Sequence, residues 1–198
     1  EQPLLRKRLG PMLTLIFLVT VVGQVGVLSL LADDPVVPEI GLTVPEGFTI
    51  ELVAGPPLVE RPITAAFDDQ GHLYVSDSSG SNDPIQQQLE EKTHRIIRLD
   101  DTDHDGIFDR SQVFAAGMMF PEGTMFYDGS LYVSAPPSIW KLTDEDGDGV
   151  ADKREEWFQG KTLTGCANDL HGPYLGPDGF IYWCKGAFAE QAHEVNGN

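Results

Sequence analysis

The chain has 198 residues, 41% of them apolar, which is enough for one domain with a core and excludes disorder throughout. Its 31 acidic and 13 basic residues give a net charge of −18, and beyond Ala32 the balance is 30 to 10, or −20. A surface of that sign repels phosphate backbones and attracts divalent cations, which argues against nucleic acid as a partner.

Residues 1–32 read as an export segment: Arg6, Lys7 and Arg8 precede 24 uncharged residues, "LGPMLTLIFLVTVVGQVGVLSLLA". A secretory apolar region runs to about 7–15 residues and a spanning helix to about 20, so a cleaved signal peptide and a retained membrane anchor both stand open. Gly23, Gln24 and Gly26 weaken the second half of the run, and Leu30 is large for a cleavage site ending at Ala32. Either way the remainder is expected outside the cytoplasm, in the periplasm or facing it. Residues 33–44, "DDPVVPEIGLTV", are punctuated by proline and read as a linker.

From residue 45 the chain repeats. "QGHLYVSD" (70–77), "DGSLYVSA" (128–135) and "DGFIYWCK" (178–185) each place a turn glycine before an aromatic and β-branched strand; Gly71, Gly129 and Gly179 are 58 and 50 residues apart. Another extended run lies ahead of each glycine, which makes hairpins. "RIIRL" and "SIWKL" follow the first two, then acidic loops, then "SQVFAAG" and "REEWFQG". Four antiparallel strands at such a period cannot bury both faces alone, so the expected fold is all-β, a β-propeller of four-stranded blades over 45–198. About two and a half blades fit, and the chain reads as the N-terminal part of a longer protein. Residues 78–93 are an insertion with room for a helical turn.

The acidic loops repeat each other. Asp101, Asp103, Asp105, Gly106 and Asp109 hold positions 1, 3, 5, 6 and 9, and Asp144, Asp146, Asp148, Gly149 and Asp152 repeat them 43 residues on. Alternate carboxylates converge when such a loop curls, and an oxygen-only set suits Ca²⁺. Glu155 completes an EF-hand pattern in the second copy, but Gln112 breaks it in the first, and the flanks read as strands rather than helices. The eight aspartates are therefore expected to form two structural calcium loops between strands, with ion-free acidic turns as the alternative.

Chemistry in such a fold sits at the start of the innermost strands. Counting back from the turn glycines aligns Phe67, Phe126 and Leu175, then Pro62, Pro121 and Leu170, then Ile63, Glu122 and His171. Glu122 and His171 are thus expected side by side, a carboxylate that orients an imidazole for general-base work or metal binding. Asp169, two residues before His171, offers the same service; a turn in which Asn168 and Asp169 cap backbone groups and His171 packs is the alternative. Arg61, ahead of Pro62, is the candidate for an anionic cofactor. Cys184 falls opposite His171, while Cys166 lies five residues further back, so two separate thiols and a bulged bridge both remain open.

The stretch from "RIIRLDDTDHDGIFD" through "SIWKLTDEDGDGVADKREEWFQG" to "NDLHGPYLGPDGFIYWCKGAF" resembles the propeller of the membrane-bound dehydrogenases of Planctomycetes-type bacteria, over roughly 42–193. That family is similar to soluble quinoprotein glucose and sorbosone dehydrogenases. The resemblance implies oxidation of a sugar or alcohol with pyrroloquinoline quinone (PQQ), and electron transfer to a cytochrome c haem in a further C-terminal domain. It also implies a catalytic histidine ahead of a GPDG turn. His171 precedes Gly176–Gly179 by fewer residues than in those enzymes, and their cofactor-binding arginine and lysine belong to later blades. Two other functions remain open: a calcium-dependent lactonase-like hydrolase with Glu122 as metal ligand, and a non-catalytic envelope or glycan-binding propeller.

Overall fold

The computed structural model describes residues 44–161, 163–165, 169–186 and 192–194. The chain divides into two compact units, Glu1–Gly41 and Leu42–Asn198, and every described residue belongs to the second. The expected export segment and Cys166 lie outside the described residues. Among those described, no helix is long and apolar enough to cross a membrane.

The unit is built from antiparallel sheets. β1 (Pro62–Phe67), β2 (Leu73–Asp77), β3 (His94–Asp100) and β4 (Arg110–Met118) form the first in simple sequential order. β5 (Gly123–Tyr127), β6 (Ser130–Ala135), β7 (Ser138–Thr143) and β8 (Lys153–Gln159) form the second in the same order, and β9 (Leu170–Leu175) pairs with β10 (Ile181–Lys185) in a hairpin. A short helix, α1 (Ile85–Glu91), occupies the insertion between β2 and β3 and buries none of its residues.

The hairpin turns explain the shared register. Gly71, Gly129 and Gly179 have φ of 95°, 71° and 83°, a left-handed backbone that other residues adopt only under strain. Phe67, Phe126 and Leu175 each pair with the residue two past their turn glycine: Leu73, Leu131 and Ile181. The repeat is therefore structural, not only a likeness of letters.

Burial follows the layers. β6 is buried along its whole length and β2 along most of it, because both faces of these interior strands are covered. Ile96, Phe114 and Met118 of the first sheet meet Leu131, Val133 and Leu142 of the second, with Tyr74 stacked on Phe126 and edge-on to Phe114. Met125, Tyr132 and Ile139 carry the opposite face of the second sheet onto Leu170, where Trp183 packs against Phe158 and Trp157. Each fully buried side chain of this size contributes about 1.5–3 kcal/mol.

The first strands of the three sheets run next to one another. Thr64 of β1 reaches Thr124 of β5, with the two hydroxyls 3.2 Å apart. β5 and β9 touch through glycines: a Cβ on Gly123 would lie 2.6 Å from the carbonyl carbon of Gly172 and 3.1 Å from its nitrogen. Only a residue without a side chain lets these two backbones meet.

Candidate functional site

That backbone contact delivers the expected pair. Glu122 stands just ahead of β5, its N–H donating to Ser134 O at 2.8 Å, and His171 is the second residue of β9. Glu122 Oε2 lies 4.0 Å from His171 Nδ1.

The equivalence of the two positions slips by one step at this end. Gly123 pairs with Ser134 and His171 with Cys184, each partner five residues past its turn glycine, so Glu122 stands one residue outside the level of His171. A bulge on β9 at Gly172 and Pro173, opposite Trp183, causes the slip, since the hairpin pairs Tyr174 with Tyr182 before it and His171 with Cys184 beyond it. Cys184 is a free, exposed thiol.

The electrostatics at Glu122 are unusual. Its side chain is 10% exposed, and Oε2 is buried without a hydrogen-bond partner among the described residues. Burial, with a smaller contribution from the charge of Asp169, pushes its pKa from 4.5 up to about 7. Asp169 is fully buried and serves a different purpose: Oδ2 accepts the Thr164 N–H at 2.6 Å and Oδ1 the Thr164 hydroxyl at 2.7 Å. It holds the entry to β9 and places a fixed negative charge behind Glu122. A carboxyl poised near neutrality beside an imidazole that is 34% exposed can take or give a proton at physiological pH.

Arg61 is placed elsewhere. Its N–H donates to Asp77 Oδ1 at 2.7 Å, and its exposed guanidinium lies against Gly80 and donates to Ser79 O at 3.4 Å. Its side chain thus serves the insertion. An anionic quinone with three carboxylates does not fit the described residues: the groups that set the potential at the pair are Glu122 and Asp169, both acidic, and Arg61 is engaged with the insertion.

The acidic loops connect β3 to β4 and β7 to β8, so strands flank both and neither is an EF-hand. Asp101, Asp103 and Asp105 bring carboxylate oxygens within 4.8 Å of one another, as do Asp144, Asp146 and Asp152. The first aspartate of each loop also fastens its own backbone: Asp101 accepts the N–H of Asp105 and Gly106, and Asp144 those of Gly147 and Gly149. Asp109 is turned to Thr102, whose hydroxyl donates to it at 2.6 Å, and Asp148 accepts the Val150 N–H at 2.8 Å. Each group of three is a hard oxygen set of a kind that suits Ca²⁺.

Two polar clusters escaped the sequence reading. His72 Nδ1 lies 2.7 Å from Asp68 Oδ2, and its Nε2 lies 3.1 Å from Nη2 of Arg98, whose Nε donates to Asp100 Oδ1 at 2.8 Å. Because the guanidinium can only donate, His72 accepts at Nε2 and donates from Nδ1. Burial opposes the charge of Asp68, but the bonds from His72 and from two backbone N–H groups outweigh it and hold its pKa below the usual value. The carboxylate and imidazole four residues apart across a turn were the available signal. The second cluster surrounds His94, which is 1% exposed: Nδ1 accepts the Ser79 N–H at 3.1 Å, and Nε2 lies 3.3 Å from Gln88 Oε1. His94 thereby ties down the start of the insertion and its helix α1.

No curated protein and no solved structure matches the chain. A family model described as a domain of unknown function (DUF7133) matches residues 40–198, most of the chain, and the protein belongs to that family.

Proposed function

We propose that the chain forms part of a β-propeller oxidoreductase, exported from the cytoplasm, that oxidises a sugar or alcohol at the end of its inner strands. The observation that carries this reading is the buried Oε2 of Glu122, unpartnered among the described residues, beside His171 and on a carboxyl with a pKa of about 7. Repeated four-stranded sheets whose first strands adjoin support the propeller. The resemblance carried by the DxDxDG loops and by His171 ahead of Gly176–Gly179 supports the dehydrogenase class. Export rests on the basic and apolar character of residues 1–32.

Oxidation of an alcohol to a carbonyl removes a hydroxyl proton and a hydride. Glu122 takes the proton, and His171 faces the carboxylate and orients the hydroxyl toward it. The hydride would need a two-electron acceptor, and the described residues do not hold one. In the family that the sequence resembles that acceptor is PQQ, and cytochrome c receives the electrons. The two aspartate groups hold Ca²⁺ as fastenings of the β3–β4 and β7–β8 connections, away from this pair.

The test is dye reduction by the full-length protein with aldoses and primary alcohols, with PQQ and calcium present or omitted. Wild type is expected to turn over, and Glu122→Gln to lose about 10²–10⁴ of kcat, the usual contribution of a general base. Failure of wild type to oxidise any of these substrates, or turnover indifferent to both Glu122→Gln and His171→Ala, overturns the proposal. Cleavage of lactones in calcium without an acceptor would replace it with the hydrolase.

A further inference from the structure

A cavity of 150 Å³ lies between the insertion and the second sheet. Its body is apolar: Leu89 of α1, Met118 and Met119 at the end of β4, the Pro136–Pro137 turn, and Trp140 of β7. Its charged lining is Lys92 and Arg154, and no acidic side chain takes part, in a chain with 31 acidic residues.

The Arg154 cation is held in place, and neither cation is neutralised. Arg154 donates from Nη2 to Ala116 O at 2.6 Å and from Nη1 to Gly117 O at 3.2 Å, which fixes the guanidinium across the end of β4. Lys92 caps α1 with φ of 49°, its N–H bonded to Gln88 O. Among the described residues neither forms an ion pair with a carboxylate. A guanidinium has five N–H groups, of which Arg154 uses two for these bonds, so three remain to meet an anion.

The apolar part sets the other half of the ligand. A volume of about 150 Å³ holds one six-membered ring. An indole face, two thioethers and two prolines are surfaces that take an aromatic ring well. We propose that this cavity binds a small aromatic carboxylate, its ring against Trp140, Met118 and Met119 and its carboxylate on Arg154 and Lys92. Because the walls come from both the insertion and the second sheet, the bound acid clamps the insertion to that sheet. This site is separate from the Glu122–His171 pair and stands whether or not that pair oxidises anything.

Phenylacetate is the probe, titrated against the protein with tryptophan fluorescence and ligand-detected NMR as readouts. Saturable binding with Kd of about 1 mM or tighter is expected, as befits ten non-hydrogen atoms. Arg154→Gln and Lys92→Gln should each weaken it about 10-fold, while Arg154→Lys keeps the charge and retains more of the affinity. Trp140→Phe should abolish the fluorescence response and leave NMR-detected binding within a few-fold. Limited proteolysis of 78–93 should slow in the presence of the ligand. The proposal is overturned if phenylacetate fails to saturate, if the neutral analogue benzyl alcohol binds as well, if acetate alone competes equally, or if Arg154→Gln melts like wild type and binds unchanged.

Discussion

Replacing Glu122 by Gln keeps the shape of the side chain and removes its charge, so it separates stability from chemistry at one atom. In the folded protein the Glu122 carboxyl titrates at about 7 instead of 4.5, chiefly because it is buried. The folded state therefore keeps a proton that the unfolded chain has released. The stability tied to this group is fully present below pH 4.5, is lost as pH rises toward 7, and changes no further above it. The gap of about 2.5 pKa units at 1.36 kcal/mol each amounts to about 3 kcal/mol. Glu122→Gln escapes this loss. It should match wild type to within about 1 kcal/mol at pH 5 and exceed it by about 3 kcal/mol at pH 8, or about 6–12 °C in Tm for a domain of this size. Urea denaturation followed by tryptophan fluorescence at several pH values from 4.5 to 8.5 measures the difference, in which the titration of carboxylates that do not interact with Glu122 cancels. The same variant should be inactive, a more stable protein that has lost its function. A stability gap that stays flat across this range would show that Glu122 is solvated when folded, and the acid–base assignment would fall with it.

Gly123→Ala should destabilise by about 3 kcal/mol or more, the upper end for overpacking, since its Cβ meets the Gly172 backbone and no rotamer relieves it. Gly129→Ala, in open space at φ 71°, should cost only about 1–2 kcal/mol of backbone strain, and equal melting of the two variants would refute the close approach of β5 and β9. His94 is held neutral by burial, so its folded pKa lies below 6.5, and the insertion it pins should loosen as pH falls below that value. Proteolysis within 78–93 should therefore be faster at pH 5 than at pH 7.5 in wild type and insensitive to pH in His94→Asn. Calcium at 100 times its Kd should stabilise by about 2.7 kcal/mol per loop, lost in Asp103→Asn or Asp146→Asn and largely retained in Asp109→Asn or Asp148→Asn. Identical melting in calcium and in chelator would leave the loops held by aspartate–backbone bonds alone.

The strand order could be read from the sequence because it is written in local chemistry: a glycine that must adopt positive φ, followed by aromatic and β-branched residues. The neighbourhood of Glu122 and His171 could be read for the same reason, since equivalent positions of repeated hairpins come to lie side by side. What the pattern does not carry is any feature set by a partner distant along the chain. The one-residue offset between Glu122 and His171 arises at a bulge on β9. Arg61 looks like a free arginine at a strand entrance until the insertion supplies Ser79 and Gly80 to occupy it. His94 reads as one more residue of a strand, yet its imidazole takes both its bonds from the insertion that precedes it.

The aspartate loops show how far identical spacing constrains a site. Both copies hold Asp at positions 1, 3, 5 and 9, but Asp109 is excluded from its group of three and Asp152 is included. The neighbour at position 2 differs between the copies. Thr102 donates both its N–H and its hydroxyl to Asp109, one to each oxygen of that carboxylate. Glu145 has no hydroxyl to donate, and only its N–H bonds to Asp152, at 2.7 Å. Two loops with the same motif accordingly present different carboxylates to a cation, and the copy ending in Asp152 spans more of its loop, tying the start of the β7–β8 connection to its end.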